Sequence, residues 1–103
     1  MHTPEGKVKK HLRTLLDDYD IYYFMPATGG YGRSGLPDIV GCVHGCFFAV
    51  ECKAPGKEGN LTGLQQLELE AIEKAGGVAF VYAGPAHMPD EEVLRRILEG
   101  GWG

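Results

Sequence analysis

Apolar residues recur at Val8, Leu12, Leu15, Leu16 and Tyr19, the three-and-four spacing of a helix with one buried face. Thr3 ahead of Pro4 is the matching start signal, so a first helix is predicted over Pro4–Tyr19. Ile21-Tyr22-Tyr23-Phe24-Met25, aromatic and branched, reads as a strand. Between Pro37 and Lys53, two runs rich in Val, Ile, Phe and Cys flank His44-Gly45, the signature of a hairpin. Alternation puts Val40, Cys42, Phe47 and Ala49 on one face, and Ile39, Val43, Cys46, Phe48 and Val50 on the other. Strands apolar on both faces belong in the middle of a layered α/β domain.

Thr62-x-x-Gln65 is a capping box, and Leu64, Leu67, Ala71, Ile72 and Ala75 form the apolar stripe of the helix it opens. Gly76-Gly77 stops that helix, and Val78–Tyr82 is the next strand. A strand–helix–strand passage within one sheet implies a right-handed parallel crossover. Pro89 with Asp90, Glu91 and Glu92 opens a last helix carrying Val93, Leu94, Ile97 and Leu98. Trp102 is expected to dock the tail or to sit at an interface. The predicted order is αβββαβα, a small α/β/α sandwich with a mixed central sheet, and residues 1–103 make a single domain.

With 44% hydrophobic and 23% charged residues the composition is that of an ordinary globular protein. No apolar run approaches the ~20 residues of a membrane span, and Met-His-Thr-Pro-Glu-Gly-Lys lacks the apolar core of a signal peptide. Cys42, Cys46 and Cys52 are odd in number and lie in strands, as expected of small buried hydrophobes in a reducing compartment. Alternation splits the cysteines of Cys42-x-His44-x-Cys46 between opposite faces of a tight hairpin, which argues against a zinc clip there. The net charge of −4 argues against nonspecific coating of nucleic acid. Its distribution is uneven, because seven of the ten Lys and Arg lie in residues 1–57. Lys7, Lys9, Lys10 and Arg13 crowd the first helix, while Arg33, Lys53 and Lys57 flank the hairpin. They form either a positive face for phosphate or simply a solvated one.

The hairpin also carries the candidate chemistry. With His44 and Gly45 as the two turn residues, Asp38 lies directly across from Glu51, Cβ atoms about 5 Å apart, and Lys53 points to the same side. Opposed carboxylates in apolar surroundings are costly unless a cation joins them, and oxygen ligands suit Mg²⁺ or Mn²⁺. The competing reading is an exposed Glu51–Lys53 strand pair, with Asp38 capping a turn after Pro37. Glu5, on the Val8/Leu12 stripe, either favours the helix dipole or reaches a metal at the helix start. In the glycine-rich loop Pro26–Pro37, Arg33 and Ser34 are candidates for phosphate contact, if the loop is more than a connector.

Pro37-Asp38 followed by Glu51-x-Lys53 on a hairpin after a helix resembles the PD-(D/E)xK nuclease superfamily. Gly32-x-x-Gly35-x-Pro37-Asp38, Val50-Glu51-Cys52-Lys53-x-Pro55, Leu61-Thr62-x-x-Gln65 and Gly76-Gly77 resemble more closely its virus-type replication-repair nuclease (VRR-NUC) family, over residues 4–82. Glu68 departs from a tryptophan frequent in that family, which touches helix packing more than chemistry. The resemblance implies a restriction-endonuclease-like fold. It also implies one or two Mg²⁺ or Mn²⁺ ions on Asp38, Glu51 and the backbone carbonyl of Cys52, with Lys53 as the catalytic lysine. Glu5 would contact the metal directly or through water. Gln65 would reach toward the site, although the capping box alone accounts for a glutamine there. Arg33, Ser34, Lys7, Lys10 and Lys57 are the candidates for holding DNA.

The expected activity is structure-selective DNA cleavage leaving 5′-phosphate and 3′-hydroxyl ends, by a Holliday-junction resolvase-type homodimer. The setting would be viral or bacterial DNA processing in the cytoplasm, with no membrane partner. The alternatives are a flap or linear-duplex nuclease, and a DNA-binding module or structural subunit that kept the fold without catalysis.

Overall fold

The computed structural model describes residues 3–27 and 33–100. Trp102 and part of the glycine-rich loop, Gly29, Gly30 and Gly32 included, lie outside them. The first helix, α1 (Pro4–Asp18), starts where Thr3 Oγ1 accepts a bond from the Gly6 N–H at 3.0 Å. It buries Val8, Leu12, Leu15 and Leu16. Tyr19, expected on that stripe, is instead the C-cap and lies 57% exposed. The short strand β1 (Tyr22–Phe24) follows, then β2 (Ile39–Val43) and β3 (Cys46–Cys52).

His44 and Gly45 both have positive φ, +51° and +78°, the conformation a two-residue hairpin turn with native twist requires. Ile39 therefore pairs with Val50 and Val43 with Cys46, the register expected from the sequence. At Gly41 a Cβ would collide with the Tyr22 carbonyl oxygen and the Phe48 ring, so only glycine lets β1 close on β2 there.

Helix α2 (Gly63–Lys74), strand β4 (Val78–Tyr82) and helix α3 (Asp90–Glu99) complete the chain. The capping box forms in full: Gln65 N–H donates to Thr62 Oγ1 at 3.1 Å and Thr62 N–H to Gln65 Oε1 at 3.0 Å. The sheet order is β1-β2-β3-β4, antiparallel as far as β3 and parallel between β3 and β4. This is the mixed sheet of an αβββαβα sandwich, as predicted.

Alternate sheet residues feed two cores. Ile39, Phe48, Val50, Phe80 and Tyr82 pack with α1 and α3, whereas Val40, Ala49 and Ala79 pack with Leu69 of α2. Two further expectations about burial fail. Leu64 and Leu67 are 55% and 62% exposed, because α2 is turned to bring Gln65, Leu69 and Ile72 toward the sheet. Of the cysteines only Cys52 is buried. Cys42 is exposed and Cys46 half-buried, since both flank the distal turn, beyond the cover of the helices. Phe47, at the same end, is 44% exposed. Among the described residues no helix is long and apolar enough to cross a membrane.

Candidate active site

Where β2 begins and β3 ends, the ladder gives way to side chains. Asp38 stands just ahead of β2, and its Oδ2 accepts the Cys52 N–H at 2.8 Å. That bond satisfies a strand-end donor and fixes the Asp38 carboxylate beside Glu51. Glu51, only 4% exposed, is the one buried charged residue of the described chain. Its Oε2 accepts from Gln65 Nε2 at 2.9 Å and lies 3.6 Å from Lys53 Nζ. Lys53 Nζ also donates to Gln65 Oε1 at 3.0 Å. One glutamine amide thus closes the first turn of α2, orients the lysine and holds the glutamate. The expected conjunction of Asp38, Glu51, Lys53 and Gln65 is present.

The charges are not balanced. Burial, and then the Asp38 carboxylate, push the Glu51 carboxyl up to about 7, against a downward pull from Lys53. Burial followed by Asp38 and Glu51 also pushes the Cys52 thiol up, so that sulfur is no nucleophile. Glu5 does not touch Asp38 directly. Lys9 stands between them, its Nζ 3.4 Å from Glu5 Oε2 and 3.3 Å from Asp38 Oδ1. Burial works against charge on Lys9, yet Asp38 and then Glu5 outweigh it and hold the amine above its ordinary value. Lys9 was not among the site residues expected from the sequence. Its one signal is the four-residue spacing from Glu5 on a shared helix face.

The other candidates lie apart from this cluster. Arg33 pairs with Glu68 of α2 at 2.9 Å, and Ser34 is exposed in the turn beside it. Lys7, Lys10 and Lys57 are exposed; Lys10 shares a cleft along α1 with Glu5, Lys9 and Arg13.

Among the described residues no group of three or more His, Cys, Asp or Glu side chains converges as a metal site. What does converge is a pair of carboxylates at the end of a strand. The Cys52 carbonyl leaves that strand toward the same edge as its N–H, as extended backbone requires. This oxygen-only donor set fits Mg²⁺ or Mn²⁺, and a divalent ion would offset both causes of the upward push on Glu51, its burial first and the Asp38 charge second. Fold and site together define the class: a mixed-sheet α/β/α protein with a paired-carboxylate, lysine-bearing site on the sheet's rim. No family model, curated protein or solved structure matches the chain.

Proposed function

We propose that the chain is a divalent-metal-dependent DNA endonuclease with Asp38, Glu51 and Lys53 at its centre. The reading is carried by one observation: a buried glutamate and a lysine, both bonded to Gln65, meet at one strand end an aspartate anchored by the Cys52 N–H. Asp38, Glu51 and the Cys52 carbonyl would hold a divalent ion, which when bound would lower the pKa of a water and offset charge on the phosphoryl oxygens. Asp38 is held for this by the Cys52 N–H on Oδ2, while Oδ1 pairs with Lys9. Glu51 is kept from rotating by Gln65. Lys53, as an ammonium, has three donors. Gln65 takes one and Glu51 stands at ion-pair distance, which leaves donor capacity for a water or a phosphoryl oxygen as charge develops there. Recognition by this domain would rest on phosphate contacts and DNA shape. The resemblance to VRR-NUC proteins extends the proposal to four-way junctions cut by a homodimer, whose symmetry supplies two cuts from two chains.

The test is cleavage of labelled four-way junction, flap and linear duplex with Mg²⁺, Mn²⁺ or EDTA, by wild type and Asp38→Asn. Metal-dependent cutting that the variant loses is expected, with the junction cut fastest. A preference for flap or duplex would replace the junction assignment. Cutting that survives EDTA, or equal cutting by Asp38→Asn, would remove this site from the reaction. Tight binding without cutting would make the chain a binding module.

A further inference from the structure

Lys9 bridges two carboxylates that come from different elements, Glu5 in the first turn of α1 and Asp38 ahead of β2. Asp38 Oδ2 is engaged by the Cys52 N–H, so Oδ1 is the oxygen left to face a cation, and the Lys9 ammonium already stands 3.3 Å from it. We propose that Lys9 is a place-holding cation, which neutralises Asp38 and Glu5 until a divalent ion displaces it. The proposal rests on the reading of Asp38 as a metal ligand.

The chemistry of the side chain suits the role. An ammonium is a compact point charge on a flexible stem, able to stand where an ion would and to leave without moving the helix. The three side chains are accessible enough for exchange, with Lys9 35%, Glu5 45% and Asp38 21% exposed. Space to receive the displaced head exists in the adjoining cleft of about 700 Å³, which Lys10 and Arg13 also line. There the ammonium would stand with two other cations, Lys10 and Arg13. The bridge has a cost and a benefit. It lowers the apparent affinity for the ion by competition, and it keeps the two acids paired when no ion is bound.

Calorimetric titration of Mn²⁺ alone, without DNA, into wild type, Lys9→Met and Asp38→Asn decides the matter. Lys9→Met is expected to bind Mn²⁺ about three- to tenfold more tightly than wild type, the size set by two partly exposed ion pairs. The advantage should narrow as added salt screens the charges. Without metal the variant should melt below wild type, and Mn²⁺ should close the gap. Lys9→Gln, a second variant against failure of the first to fold, should show the same order of affinities. Equal or weaker binding by the Lys9 variants, with wild type binding and Asp38→Asn not, overturns the place-holding role and leaves the active-site reading intact. Absence of Mn²⁺ binding in wild type and Lys9 variants alike overturns both.

Discussion

On one face of the sheet, α1 and α3 contribute to a core of fifteen buried apolar residues; on the other, α2 alone completes a core of four, among the described residues. The thick side packs Leu12, Leu16, Ile39, Phe48 and Tyr82 to complete burial. The thin side leaves a groove of about 510 Å³ lined by Phe24, Val40, Phe47, Ala71 and Ile72, with Leu64 and Leu67 turned to water. Glu51 and Lys53 project toward the thin side, where α2 is set as much by Gln65's hydrogen bonds as by packing. Burial is concentrated on one face, and the Glu51–Lys53–Gln65 part of the proposed site lies on the other.

The largest expected difference lies between the cores. Leu16→Ala on the thick side should cost about 3–5 kcal/mol in urea unfolding, and Leu69→Ala on the thin side nearer ~2, because a shallow layer collapses more easily around a small cavity. Equal losses would dissolve the contrast. Next comes Lys53→Met, expected to lower cleavage by on the order of 10²–10³ while the far-UV circular dichroism stays unchanged. A rate that survives the change would move the chemistry off this rim.

Glu51 gives a pH signature that the thick side lacks. Its folded pKa, about 7, lies above the ordinary 4.5, so the native state holds that proton more tightly than the unfolded chain does. The charged form burdens the fold above pH 7, and the burden lifts as pH falls toward 4.5. In EDTA, melting temperature should therefore drop more steeply with rising pH in wild type than in Glu51→Gln, and Mn²⁺ should flatten the wild-type curve. Parallel curves would mean that Glu51 titrates as an ordinary surface acid. Smallest of all, Leu67→Ala should stay within about 0.5 kcal/mol of wild type. A loss above ~1.5 would show that something covers that face of α2.

The sequence was readable wherever a local rule decides the outcome. His44-Gly45 pointed to a two-residue turn, although a three-residue loop would have shifted the register, and the two-residue turn that forms puts Asp38 opposite Glu51. Thr62 and Gln65 marked the start of α2 through a box that forms as written. The rotation of α2 was not readable. Its apolar residues fit two overlapping stripes, and the choice fell to contacts from Gln65 to Glu51 and Lys53, which no helical period encodes. The cysteines failed for a related reason: alternation names a face, not whether a helix reaches over it. Lys9 looked like one more solvated cation because its partner Asp38 lies beyond a strand and a loop.

The double duty of Gln65 ties two events into one. The amide that winds the first coil of α2 is also the clamp on Glu51 and Lys53, so fraying of that coil releases both side chains at once. Warming would then open the proposed site while most of the molecule is still intact, and refolding would reassemble it at the moment the coil rewinds.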